Sequence, residues 1–219
     1  MGPLKKNKNK HMKNIIIILI ALVSFTVFSQ SKYETEMEKA LGLWGAEKSW
    51  EAVNLFERIA TAEPEEWLPS YYASLVTVVQ CFGEKDEAKL TANLDRALTF
   101  MNDAKAISKD NPEILLLDAL WHTAWVAYDG VQYGMKYGAK VTQMYQEALN
   151  IAPNSPRVLL NKAEWDMGGA VFFGQPIDPY CKDVEKAIEL FEDFQPEGKF
   201  YPTYGLERAQ QIMESSCKK

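Results

Sequence analysis

Two stretches of this chain, 44 residues apart, follow one pattern: Asn111-Pro-Glu-Ile-Leu-Leu-Leu-Asp-Ala-Leu-Trp121 and Ser155-Pro-Arg-Val-Leu-Leu-Asn-Lys-Ala-Glu-Trp165. Each has a proline at a first-turn position, where its missing N–H costs a helix nothing. Apolar residues then recur at steps of three and four, which is the helical period. A repeat of this length is one supersecondary unit that cannot bury its apolar face alone, so successive units must stack into a continuous core.

A second register runs along the chain. The triplets Ala52, Phe56, Ile59; Ala97, Met101, Ala104; Val141, Tyr145, Ala148; and Ala187, Phe191, Phe194 recur at offsets of 45, 44 and 46. Positions i, i+4 and i+7 share one helix face. The small residue lets a neighbouring helix approach, and the large one fills the gap beside it.

These triplets resemble the second helix of tetratricopeptide repeats, which is followed by a proline, here Pro64 and Pro153. The first helix of that family carries a small residue 12 before the triplet, as Ala40 stands before Ala52. Ser74, Ala119 and Ala163 are the corresponding small residues later on. There the spacing departs from the family: 23, 22 and 24 residues separate Ser74 from Ala97, Ala119 from Val141 and Ala163 from Ala187, 10 to 12 too many. A period near 45 also suits HEAT-like arrays. The segments Leu55-Phe-Glu-Arg-Ile-Ala60, Glu164-Trp-Asp-Met-Gly168 and Pro179-Tyr-Cys-Lys-Asp-Val184 look like a group of exported tetratricopeptide-like bacterial proteins, a resemblance that implies no activity.

The expected fold is all-α: stacked antiparallel helical hairpins, about four repeats, in one domain over residues 30–219. The hairpins are 33–46 with 50–62, 67–82 with 86–108, 112–128 with about 136–151, and 156–168 with 182–194. A last helix near 204–216 caps the open end. Asp110-Asn111 and Asn154-Ser155 suit N-caps.

Residues 1–29 read as a signal peptide: five lysines before residue 14, a 14-residue apolar run from Ile15 to Phe28, and a cut between Ser29 and Gln30 set by Val27 and Ser29. Met12 is an alternative start. An uncleaved anchor is the other reading, but the run is shorter than the roughly 20 residues a span requires. Removing the leader's five lysines from 24 basic residues leaves 19 against 30 acidic ones, a net charge of −11. Such a domain is repelled by phosphate backbones and anionic membranes. The expectation is therefore an exported protein, periplasmic or secreted, with no nucleic-acid partner and no membrane span after leader removal.

Cys81, Cys181 and Cys217 match no zinc or thioredoxin spacing. Cys181 opens the fourth second helix and Cys217 closes an antiparallel capping helix of similar length, which brings the two together. A Cys181–Cys217 disulfide is expected, with Cys81 as a buried free thiol.

Catalytic motifs are absent: there is no phosphate-binding glycine loop, His-Glu-x-x-His, Gly-x-Ser-x-Gly or Cys-x-x-Cys. No enzyme activity, cofactor or metal is expected. His122 shares a helix face with Asp118, a spacing that suits two metal ligands but equally a local hydrogen-bonded pair. Trp121, Trp125 and Trp165 lie on first helices, where they either line a groove or fill the core. The long first-to-second connections gather glycine and aromatics on one edge: Phe82 with Gly83; Tyr128, Gly130, Tyr133 and Tyr137; and Gly168 to Gly174 with Phe172 and Phe173. They form a binding edge or pack on one another. The candidate binding residues are Trp121, His122, Trp125, Tyr128, Tyr133, Tyr137, Trp165, Phe172 and Phe173. The leading expectation is an extracytoplasmic module for a protein or peptide partner. The alternative is a small-ligand or glycan binder using the aromatic connections. Oligomeric state is left open.

Overall fold

The computed structural model describes residues 32–217. The expected leader and its cut between Ser29 and Gln30 lie outside these residues. The described residues are all-helical, with no strand among them. Helix α1 covers residues 32–45. It is followed by α2 (Ser49–Ala62), α3 (Trp67–Val79), α4 (Glu87–Ile107), α5 (Pro112–Tyr128), α6 (Gly130–Ile151), α7 (Pro156–Phe172), α8 (Asp178–Glu192) and α9 (Leu206–Ile212). After α9 the chain widens into one π-helical turn, Met213–Cys217. None of these helices is long and apolar enough to cross a membrane.

Local chemistry sets the starts. Pro112 and Pro156 open α5 and α7, and the side chains of Asn111 and Ser155 accept the first free amides, Glu113 N and Val158 N. Asp86 does the same for Ala88 and Lys89 at the start of α4.

Helices α3–α4, α5–α6 and α7–α8 pair as antiparallel hairpins, and α1 leads into α2 through residues 46–48. The first helices form one layer, in which α3 touches α5 and α5 touches α7. Both repeat registers end up inside. Ala40, Ser74, Ala119 and Ala163 are fully buried, as are Ala52, Ala97, Val141 and Ala187. Phe56, Met101 and Tyr145, the large members of the first three triplets, are buried beside them. Each such side chain contributes about 1.5–3 kcal/mol by leaving water. In the last triplet Phe191 is half-buried, because only the C-terminal cap covers that end of the stack.

The expected long connections are corrected. In the third and fourth repeats the extra residues lengthen helices instead of forming loops, whereas residues 80–86 still separate α3 from α4. A single residue, Asp129, joins α5 to α6. Its carboxylate accepts from Val131 N and Gln132 N, so the next helix starts at once, six residues before the expected position. Likewise α7 runs on to Phe172, through Gly168 and Gly169, and only Phe173–Ile177 separate it from α8. Glycine inside a helix costs about 0.5–1 kcal/mol relative to alanine, a cost that longer helices packed on a neighbour absorb.

Beyond α8 the chain does more than turn back. Residues 193–205 cross the face of the first helices as a strap that reaches the N-terminal helices. Tyr72 Oη donates to the Phe200 carbonyl at 2.8 Å, and Phe200 packs edge-on against Tyr33. Lys199 sits 2.8 Å from Glu34 and from Glu38. Tyr201 meets Trp67, and Tyr204 meets Trp44. Gly205 then turns the strap into α9, whose Ala209 and Ile212 pack with Leu160, Ala163 and Val184. Cys181 and Cys217 are disulfide-bonded, with Cα atoms 5.7 Å apart, and Cys81 is buried and free.

Candidate functional site

A cavity of about 740 Å³ lies where the end of α5, the start of α6 and the length of α7 diverge. Glycines hold it open. Gly134 and Gly138 on α6 and Gly168 and Gly169 on α7 line it, and a Cβ added at any of the four would meet nothing within 4 Å. Two well-formed helices thus present bare backbone to one space. Its walls are Leu120, Val126, Trp165 and the closed side of Tyr145. Phe82, Val131, Met135, Phe172 and Phe173 stand around its mouth. Several of these rim residues face solvent to a degree unusual for their type: Val131 is 70% exposed, Phe173 73% and Met135 86%. Contiguous exposed apolar surface of this kind marks a site that something else covers.

The groove is nearly uncharged. Glu164 is the one carboxylate or amine among the lining residues, and Arg208 Nε holds it at 2.7 Å. Burial raises the pKa of the Tyr145 phenol, which remains neutral. Thr123 and Asn161 add uncharged polar atoms.

The structure divides the expected site residues into two groups. Trp165, Phe172 and Phe173 line the groove. Trp121, His122, Trp125, Tyr133 and Tyr137 turn the other way and pack together with α4. Ring centroids lie 4.8 Å apart for Trp121 and His122, 4.9 Å for His122 and Tyr137, and 4.9 Å for Trp125 and Tyr133. Tyr133 and Tyr137 stack nearly parallel. Tyr128 is half-buried against the same cluster. The indole N–H of Trp121 donates to the Leu94 carbonyl at 2.7 Å. His122 is 4% exposed. Its Nδ1 lies 2.8 Å from the Asp118 carbonyl and 3.1 Å from Asp118 Oδ1, while Nε2 faces Lys140 Nζ at 3.0 Å. Both imidazole nitrogens are engaged locally. Among the described residues no three His, Cys, Asp or Glu side chains converge as a metal would require.

Sequence reading missed Leu120, Val131, Met135 and Asn161, and it took Gly134 and Gly138 for loop residues. A signal was present: Gly130, Gly134 and Gly138 stand four apart, which puts them on one face of a helix if the segment is helical at all.

A smaller cavity, about 360 Å³, continues the groove toward the strap. Leu120 and Asn161 line both spaces. Along α7 the lining runs from Arg157 at the inner end, through Asn161, to Gly168 and Phe172 at the mouth. Tyr204 of the strap, itself 43% exposed, and Trp44 of α1 line the end nearest the strap. Arg157 is 4% exposed there; its Nε lies 2.9 Å from both carboxylate oxygens of Glu113, and its guanidinium sits 3.8 Å over the Tyr204 ring.

No family model matches the chain, and no curated protein matches it. Among solved structures the chain is similar to the HusA haemophore from Porphyromonas gingivalis, with a TM-score of 0.73 and 22% sequence identity, covering 84% of this chain and 92% of that one. At this identity the likeness shows a shared helical fold.

Proposed function

We propose that this chain is an extracytoplasmic binding protein for a large, flat, apolar ligand of the tetrapyrrole class, held in the groove between α5, α6 and α7. The observation that carries the reading is the groove itself: a cavity of about 740 Å³ with a bare glycine floor and an aromatic rim. Sites for small molecules span roughly 300–1,000 Å³ and are mostly apolar with a few polar groups. A flat body needs a floor without side chains to lie on, and glycine helices supply one. That a protein of the same fold is a haemophore supports this choice of ligand class. The sequence-level alternative, a small-ligand binder, is thereby preferred over a protein or peptide scaffold. The strap already lies across the first-helix face where a peptide would run.

The donor set fits the organic body of such a ligand better than its metal. No histidine or cysteine lines the groove; the side chains with metal-binding capacity are Met135 at the rim, the buried Tyr145 and Glu164, which is tied to Arg208. Affinity would then come from stacking and apolar burial against Trp165, Phe172 and Phe173. No step of catalysis is invoked, since the one carboxylate in the groove is tied to Arg208.

Titration of the mature protein with haemin and with iron-free protoporphyrin tests the reading. Saturable one-to-one binding of both, seen in the porphyrin absorption band and in quenching of tryptophan fluorescence, is the expected result. Absence of saturation with either ligand rejects the proposal. Mass spectrometry of material that co-purifies adds an independent check: a retained peptide would favour the scaffold reading.

A further inference from the structure

The groove does not end at its apolar part. Its inner cavity shares Leu120 and Asn161 with the outer one and ends at Arg157, Tyr71 and Tyr204. From Trp165 to Asn161 the α7 axis advances about 6 Å, and from Asn161 to Arg157 about 6 Å more. A body lying on Gly168 and Gly169 therefore has polar side chains within reach of a short arm directed inward.

Those side chains have unused donors. Arg157 gives Nε to Glu113, one Nη1 N–H to the Tyr204 carbonyl at 2.7 Å and one Nη2 N–H to Tyr71 Oη at 3.4 Å. These bonds use three of its five N–H groups. Asn161 Nδ2 donates one N–H to the Arg157 carbonyl at 2.8 Å and has a second. Of the acceptors here, the Glu113 carboxylate and the Tyr71 hydroxyl are engaged: Tyr71 donates to Glu113 Oε2 at 3.3 Å, and the Tyr71 and Tyr204 hydroxyls lie 3.3 Å apart. This end thus offers N–H donors, beside the Asn161 amide oxygen, and the guanidinium and amide donors together suit an acceptor.

We propose that this inner end is a subsite for a carboxylate arm of the ligand, with Asn161 and the free edge of the Arg157 guanidinium as its donors and Tyr204 as its end wall. The inference rests on the groove being the ligand site. Glu113 balances the charge of Arg157, so recognition comes from directed hydrogen bonds more than from net charge. Hydrogen bonds to a charged group are the stronger kind. The ligand class is accordingly a flat apolar ring system bearing short carboxylate arms, oriented with one arm inward and its opposite edge at Phe172 and Phe173.

The test compares two iron-free porphyrins, mesoporphyrin with two carboxylate arms and etioporphyrin with alkyl arms alone, against the wild type, Asn161→Leu and Arg157→Lys. The measured quantity is the ratio of the two dissociation constants for each protein, which cancels differences common to the probes. The wild type is expected to favour mesoporphyrin, and Asn161→Leu to lower that preference about ten-fold. Arg157→Lys removes the fork and should act in the same direction; because it sits in a buried network, its folding is checked by helicity, and Asn161→Leu, at a half-buried position, decides if it fails. Binding of both porphyrins with a preference unaltered by Asn161→Leu overturns the subsite and leaves the groove reading standing. Binding of neither porphyrin by the wild type rejects the groove reading and the subsite with it.

Discussion

Glu113 and Arg157 occupy the same position of successive repeats, 44 residues apart, each one place after the proline that opens its helix, and they meet as a buried ion pair with Nε 2.9 Å from both carboxylate oxygens. The repeat thus carries opposite charges at equivalent sites and locks α5 to α7. Burial raises the Glu113 carboxyl above its ordinary value, and the Arg157 charge opposes that rise. Removing one partner leaves the other charged, buried and unpaired. Arg157→Ala is expected to cost about 3–5 kcal/mol. The double replacement Glu113→Gln with Arg157→Met should cost clearly less than the two single changes added together. Urea unfolding of the four proteins measures this; additive effects would show that the pair does not act as a unit.

The aromatic cluster on α5 and α6 behaves as core. Trp121 is half-buried, so Trp121→Ala should fall at the lower end of the about 3–5 kcal/mol seen for large-to-small changes at buried aromatic sites. Tyr133→Ala with Tyr137→Ala should lower the melting temperature markedly, because Tyr133 is buried and stacked on Tyr137. A double variant that melts like the wild type while losing porphyrin would move the site to this side of α6.

Much of the architecture is legible in the chain because it is local. The triplets and the small residues at 40, 74, 119 and 163 announce helix faces, and Pro112 and Pro156 announce helix starts. The strap was not legible, since Phe200, Tyr201 and Tyr204 follow no period and owe their place to partners at Tyr33, Trp44 and Tyr72, more than 120 residues away. The groove was half legible. Glycine and aromatics do gather at one edge, but read by propensity alone the glycines of α6 suggest a loop. Asp129 overrides that propensity by capping a helix at once, and this turns Tyr133 and Tyr137 inward while Gly134 and Gly138 face the cavity.

The strap's turn depends on Gly205. It holds φ at +131°, and a Cβ there would sit 2.7 Å from the Phe191 ring and 3.3 Å from Leu160. Gly205→Ala therefore meets both backbone strain and a clash. A loss of about 1–3 kcal/mol is expected, together with faster proteolysis between Pro196 and Tyr204. An alanine variant as stable and as protease-resistant as the wild type would show that the strap is not held at this turn.

The cysteines give a chemical prediction. Burial pushes the Cys81 thiol up to about 11, so it should resist alkylation at pH 8 in the folded protein and react on unfolding. Cys181 and Cys217 should appear as one joined peptide in a digest made without reduction. Their bond closes a loop with a sequence separation of 36 and should stabilise the fold by roughly 3–4 kcal/mol in the chain-entropy model. A Cys181→Ser/Cys217→Ser variant of unchanged midpoint in denaturant would contradict this.

The glycine floor makes the function testable apart from the fold. Gly134 and Gly138 lie within α6, and a Cβ at either meets nothing within 4 Å. Replacing each by alanine removes backbone freedom from the unfolded chain and raises helix propensity, so each change should stabilise the protein by about 0.5–1 kcal/mol. The same methyl groups project into the space assigned to the ligand. Stability and binding are therefore expected to move in opposite directions, which a general loss of folding cannot imitate. Gly134→Leu extends the argument: its side chain occupies the cavity against Trp165 and the rim, so the helix content and melting temperature should hold while porphyrin titration no longer saturates. Both readings come from one sample by circular dichroism and absorbance. If Gly134→Leu binds porphyrin as the wild type does, the ligand does not lie on this floor and the proposed function falls, whatever the groove's shape.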